Sequence, residues 1–141
     1  MRSWLVFVAA VQLGAAALCV AKPPPPGHPI LGTWRVYVAD TECVETWEIR
    51  ADGTTHNFSG SEESFSEYEV SPTVTERGYY IFTDKITKTN GQPDCGDYVT
   101  PVGDRATSFL VPLSGDLFKL CIDPNLIRCI GTMARASKPD P

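Results

Sequence analysis

The stretch TWEIRADGTTHNF, residues 46–58, decides the fold. Apolar Trp47 and Ile49 alternate with polar neighbours, which is the two-residue period of a strand with one buried face. The pair Asp52-Gly53 follows, and Asp-Gly tolerates the positive backbone dihedrals that a tight reversal requires. The chain then returns through residues 55–58, so this stretch predicts a β-hairpin.

Short stretches rich in aromatic and β-branched residues recur on both sides of this hairpin at intervals of roughly 8–12 residues, with almost no helical periodicity. Sequential antiparallel strands without crossover helices avoid exposed edges by closing into an up-and-down barrel. The expected fold is therefore all-β, a small antiparallel barrel of about eight strands, with room for packed side chains or one small ligand. The predicted strands are residues 33–38, 42–50, 55–58, 65–70, 79–85, 107–113, 117–122 and 127–135.

The length, charge and hydropathy of the chain limit the number of domains and the kinds of partner that we expect. The chain has 141 residues, enough for one domain and too few for two ordinary ones. Seventeen acidic against twelve basic residues give a formal charge of -5, which disfavours nucleic acid as a partner. After residue 21 no apolar run approaches the roughly 20 residues of a membrane-spanning helix, so we expect a soluble monomer with no membrane span.

Residues 1–21 have the layout of an export signal. Arg2 precedes an apolar run that ends in the small residues Cys19 and Ala21, which predicts cleavage after Ala21. Lipidation of Cys19 is the alternative, but Leu18 stands where a bacterial lipoprotein signal has a small residue. The signal is bacterial in style, so the predicted location is periplasmic or secreted.

Proline content sets the expected domain boundaries. Residues 22–28 include four consecutive prolines and predict a flexible, extended arm, with a proline-recognising partner as the alternative to a simple spacer. The folded domain is expected over residues 29–135. Residues 136–141 are expected to form a disordered tail.

Cysteine usage predicts two disulfide bonds. Four cysteines remain once the signal is removed, and an even number in an exported chain favours pairing with each other. Their wide spacing lacks the close pairs of a structural zinc site. The segment 123–126 predicts a turn that sets Cys121 opposite Cys129, and Cys43 with Cys95 follows by elimination. Pairing of Cys43 or Cys95 with the last strand stays open as the rival arrangement.

Both ends of the predicted domain resemble a known family. The segment Ile30-Leu31-Gly32-Thr33-Trp34 is similar to the Gly-x-Trp motif that starts the first strand of lipocalins and the wider calycin superfamily. The segment 129–135 resembles their last strand, whose arginine covers the motif tryptophan. The resemblance implies that Gly32, Trp34 and Arg135 are structural, with the guanidinium stacked on the indole at one end of the barrel.

The size of the folded part limits the resemblance to the smaller members of this superfamily. The folded part is shorter than a typical lipocalin, and we find no helix near its C-terminus. It looks more like the compact bacterial members, which include periplasmic inhibitors of secreted metalloproteases with an N-terminal segment that reaches into the protease cleft. The resemblance therefore implies either a container for a small ligand or an inhibitor of an exported enzyme.

Catalysis requires a positioned nucleophile, base and charge stabiliser, or a metal with an open position. Of the two histidines, His28 lies in the predicted flexible arm, and His56 lies on a strand without a Gly-x-Ser-x-Gly elbow or an orienting partner. We expect no enzyme, no metal and no cofactor.

The acidic cluster Glu62, Glu63, Glu67 and Glu69 matches no calcium-binding loop. We expect these residues to be solvated, since two of them alternate along a strand as outer-face residues would. An acidic rim that attracts a basic partner is the alternative.

Aromatic side chains are the best candidates for ligand contact. The leading hypothesis is a non-enzymatic exported protein that binds a small hydrophobic or amphipathic molecule at the barrel mouth. The alternative is a periplasmic protein inhibitor of an exported enzyme, and an envelope-associated structural protein ranks third. The predicted ligand contacts are Trp47, Phe58, Tyr68, Tyr80 and Phe82.

Overall fold

The computed structural model describes residues 22–137, and the predicted export signal lies outside this range. All regular structure in the described range is β, and no helix there has the length and apolar composition that crossing a bilayer requires. The strands are β1 (Gly32–Val38), β2 (Val44–Ile49), β3 (Thr54–Ser59), β4 (Glu62–Val70), β5 (Tyr80–Thr89), β6 (Arg105–Ser114), β7 (Leu117–Cys121) and β8 (Cys129–Ser137).

Each strand pairs antiparallel with the next one, and β1 also pairs with β8, which closes the barrel. The fold predicted from the sequence is confirmed. Strand β8 runs through Ala136 and Ser137, two residues past the predicted end of the domain, because Ser137 still pairs with Thr33 of β1. The remaining tail residues, 138–141, lie outside the described range.

Trp34 and Arg135 close one end of the barrel, which we call the base. Trp34 is 0% exposed, and its indole N–H donates to the carbonyl of Ile30 at 2.7 Å. The Arg135 guanidinium carbon lies 4.2 Å from the centroid of that indole ring, a cation–π contact. The same guanidinium donates to the carbonyls of Leu31 and Pro29, each at 2.7 Å. The guanidinium therefore lies on the indole at one end of the barrel, which is the geometry that the resemblance implied.

His28 is fixed at the base, unlike the expectation for a flexible arm. Its side chain is buried, with its ring centroid 5.0 Å from that of Tyr80. The Ile30 N–H donates to Nδ1 at 3.2 Å, and Nε2 lies 3.0 Å from the Ser71 carbonyl, so Nε2 carries the proton. Burial lowers the pKa of His28, while the bond to Ser71 opposes the shift, and the ring packs as a neutral group.

The barrel interior is divided along its axis. In its lower half, inward side chains from the strands and the preceding turn form a continuous apolar core; towards the other end, the mouth, inward positions become polar. Twelve buried residues make up the core: Ile30, Leu31, Trp34, Val36, Ile49, Tyr68, Tyr80, Phe82, Leu110, Phe118, Leu120 and Met133.

Both disulfides join the pairs favoured from the sequence. Cys121 at the end of β7 is bonded to Cys129 at the start of β8. Cys43, just before β2, is bonded to Cys95 in the segment 90–104 that connects β5 to β6. We call this segment the mouth loop, because the bond holds it across the mouth.

Candidate functional site: an acidic cavity at the barrel mouth

A cavity of about 240 Å³ occupies the upper half of the barrel, above the apolar core. Its volume lies just below the roughly 300–1,000 Å³ of sites for drug-sized ligands, so it suits a small molecule. Side chains of seven strands, β2 to β8, and of the mouth loop line it. They include Glu45, Trp47, Thr55, Asn57, Ser59, Glu62, Ser64, Phe82, Asp84, Ile86, Thr100, Ala106, Ser108, Leu120 and Ile130.

One wall of the cavity is aromatic. The rings of Trp47 and Phe82 lie nearly parallel, with centroids 6.3 Å apart. Phe82 in turn stacks on Tyr68, with centroids 5.1 Å apart. Trp47 and Phe82 are the two predicted contact residues that line the cavity.

The other three predicted contacts lie elsewhere. Tyr68 is buried in the core below the cavity, and its hydroxyl donates to the Arg50 carbonyl at 2.7 Å. Tyr80 packs at the base against His28. Phe58 is 42% exposed on the outer surface, because the inward positions of β3 are the odd-numbered residues. Phe58 is therefore not among the residues that line the cavity.

Glu45 is held in place at the mouth. One carboxylate oxygen, Oε1, accepts from the Ser59 hydroxyl at 2.8 Å, and Oε2 accepts from the Trp47 indole N–H at 2.9 Å. These bonds fix both the carboxylate and the aromatic wall.

Glu62 is the polar residue that the sequence analysis misplaced. It was expected to be solvated, but it is only 7% exposed and lines the cavity. Its neighbour Glu63 lies on the outer face, as do Glu67 and Glu69 farther along β4. Alternate residues of β4 face the barrel interior, and Glu62 is one of them because it lies six residues from the buried Tyr68 and shares its face. That spacing was visible in the sequence.

Two buried side-chain oxygens of the described residues lack a hydrogen-bond partner, Glu62 Oε1 and Asn57 Oδ1. Both belong to residues that line the cavity. The Asn57 amide nitrogen donates to the Thr55 hydroxyl at 2.9 Å, which leaves only the carbonyl oxygen open. Burial raises the pKa of Glu62; a hydrogen bond from Thr100 opposes this shift, and the negative charges of Asp94 and Glu45 add to it.

Asp84 adds a third carboxyl group to the cavity wall. Desolvation raises the pKa of Asp84 to about 6; repulsion from Asp104 adds to the shift, and a hydrogen bond from Ser66 opposes it. At neutral pH, Asp84 is therefore a carboxylate in surroundings that disfavour its negative charge.

Replacing Asp84 with asparagine is expected to stabilise the protein at pH 7–8 by about 3 kcal/mol, because the folded-state pKa of about 6 lies above the usual aspartate pKa of about 3.9. Between these values the native state binds more protons than the unfolded state, so wild-type stability falls as pH rises. The advantage of Asp84→Asn should vanish below about pH 4. Urea unfolding from pH 4 to 8 measures it, with Glu69→Gln on the outer face as the control for a lost charge. An equal effect of both substitutions at all pH values would contradict the prediction.

The mouth loop packs closely on the turn between β3 and β4. The backbone N–H of Cys95 donates to the Ser59 hydroxyl oxygen at 3.3 Å, and Thr100 lines the cavity. Gly60 makes this approach possible, since a Cβ at this position would lie 2.8 Å from the Cys95 nitrogen. A second cavity, of about 210 Å³, lies beside the disulfide and shares Glu45 and Trp47 with the first.

Comparison with known proteins identifies no relative. No family model matches the chain, and neither a curated protein nor a solved structure is significantly similar to it. The function of the chain is therefore inferred from the chemistry of the cavity.

Two further features of the described residues bear on chemistry, a group of metal-type ligands and His56. The one group of three metal-type ligands found among them is Cys43, Glu45 and Cys95, and the disulfide occupies both sulfurs. His56 lies on the outer face between Phe58 and Phe65, with Nε2 2.8 Å from a carboxylate oxygen of Glu63. Its position outside the barrel separates it from the cavity.

Proposed function

We propose that this chain is a non-enzymatic exported binding protein, related in architecture to the lipocalins, that holds one small amphipathic molecule in the barrel cavity. The single observation that carries the proposal is the open upper half of a barrel whose lower half is filled by its own side chains. A rigid, closed sheet supplies a preformed site, which lowers the entropic cost of binding.

Three features support the lipocalin-like part of this proposal. The barrel has eight antiparallel strands in sequential order, Trp34 is buried in β1, and Arg135 of β8 covers it. Bacterial origin and a periplasmic or secreted location belong to the same proposal. The two disulfides support export, because such bonds persist in oxidising compartments.

The cavity lining favours an amphipathic rather than a purely hydrophobic ligand. Trp47, Phe82 and Leu120 supply apolar contact, while other lining residues supply hydroxyl, amide and carboxyl groups. A wholly apolar ligand would leave those polar groups without water or hydrogen bonds, which is costly.

Filling the cavity tests this function. Ser108 is buried on β6 and lines the cavity, so Ser108→Phe is expected to lower the affinity for small aromatic probes about tenfold or more. Amide chemical shifts during titration with phenyl-substituted alcohols, acids and amines measure binding. Ser114→Phe, exposed at the far end of the same strand, is the matched control. Equal binding by both variants, or probe shifts confined to outer-face amides, would refute the cavity as the site.

Inhibition of an exported enzyme stays a prediction from the resemblance. The arm that it would use is anchored at His28, which leaves residues 25–27 exposed beside the base. Recovery of a stoichiometric hydrolase in a pull-down from a periplasmic extract would favour inhibition over ligand binding.

A further inference from the structure

We propose that the molecule bound in the cavity is a small organic cation, a protonated amine whose ammonium group is held by Glu62 and Asn57 and whose apolar body lies against Trp47 and Phe82. This inference rests on the proposed binding function and names the chemical class of its ligand.

The charge of the cavity is the first argument. Three carboxyl groups line it, those of Glu45, Glu62 and Asp84, and none of its described lining residues is Lys, Arg or His. Negative charges enclosed by protein focus a field that attracts a cation and repels an anion. A carboxylate ligand would place like charges together in a partly desolvated site.

The unpartnered atoms are the second, independent argument. Glu62 Oε1 and Asn57 Oδ1 are both hydrogen-bond acceptors, and both are left without a donor. An ammonium group has three donors and no acceptor, so it supplies what these two oxygens lack. Leaving a buried acceptor unsatisfied costs free energy that a ligand with donors recovers on binding.

The spread of the carboxyl groups favours an organic cation over a metal ion. A metal requires ligand atoms that converge on one point. Among the described residues, the carboxylates of Glu45, Glu62 and Asp84 do not form a group whose ligand atoms lie within 4.8 Å of one another. The aromatic wall gives a reason for an organic body, since an aromatic face binds both apolar groups and ammonium ions.

Three probes of nearly the same shape test the inference: 2-phenylethylamine, neutral 2-phenylethanol and anionic phenylacetate. Isothermal titration of the full chain at pH 7.5 is expected to give the order amine, alcohol, acid. Glu62→Gln is expected to weaken 2-phenylethylamine binding about 10- to 100-fold, because hydrogen bonds to charged groups are the strong ones. The same substitution should leave binding of 2-phenylethanol unchanged or tighter.

The control variant is Glu67→Gln, which removes one negative charge from the same strand on the outer face. It should change amine affinity less than twofold at 150 mM salt, because surface charges are screened. Urea unfolding of both variants confirms that they fold.

The outcomes separate the two proposals. If the alcohol binds as tightly as the amine, or if Glu62→Gln and Glu67→Gln act alike, the cation inference is overturned and cavity binding stands. If none of the three probes binds in the cavity, both proposals fail.

Discussion

Trp34→Ala is expected to lower the free energy of unfolding by about 3–5 kcal/mol, the usual cost of truncating a large aromatic side chain in a core. Trp34 is fully buried and packs edge-on against Phe118, with ring centroids 5.2 Å apart. Its loss also removes the donor to the Ile30 carbonyl and the surface on which Arg135 stacks. Urea denaturation followed by circular dichroism measures the change.

Trp47→Ala is the matched control for this prediction. Trp47 is only partly buried and borders an open cavity, so its truncation should cost clearly less. Equal losses for the two tryptophans would contradict the view that the base, rather than the mouth, holds the barrel together.

A second substitution at the base separates packing from hydrogen bonding. Arg135→Met keeps an apolar chain over the indole but removes the donors to the carbonyls of Leu31 and Pro29. If Arg135→Lys loses as much stability as Arg135→Met, the planar guanidinium is responsible for the effect. Recovery by lysine would assign it to charge alone, through the ion pair with Asp116.

Removing the Cys43–Cys95 disulfide by a double alanine substitution is expected to have the other large effect. The bond joins residues 52 apart, and the chain-entropy estimate for such a loop is about 4 kcal/mol of stability. The mouth loop would also lose its link to β2, so amine affinity should fall together with stability.

The Cys121–Cys129 pair is the comparison. It spans a sequence separation of 8 and joins β7 and β8, which already pair as strands, so its removal should affect ligand affinity less. Probe binding that responds equally to loss of either disulfide, in variants verified to be folded, would contradict the role given to the mouth loop. Calorimetric melting and titration of both double variants supply the two measurements.

Much of the fold was predictable because its signals are local. The alternation around Trp47 and the Asp52-Gly53 turn specify a hairpin, and the same pattern repeated along the chain specifies the barrel. Burial of His28 was not predictable, since its fixed position depends on the distant Ser71 and Tyr80.

Side chains alternate between the two faces of a strand, and this alternation explains why only some of the predicted contacts line the cavity. Trp47 and Phe82 line the cavity, whereas Phe58 lies on the outer face of β3. In β4 both faces carry an aromatic residue and a glutamate, so hydrophobicity alone did not separate Glu62 from Glu63.

The sequence by itself determined the number and direction of the strands, because alternation and turns act over short stretches. It favoured the disulfide partners without excluding a rival pairing, and the tryptophan–arginine closure followed only from the family resemblance. Only the tertiary structure decided that the lower half of the barrel is filled and that the upper half encloses buried carboxyl groups. The space left over depends on how the inward side chains of eight strands meet around one axis. The sum of those side chains, and not any single segment, leaves the Glu62 carboxylate facing an open cavity.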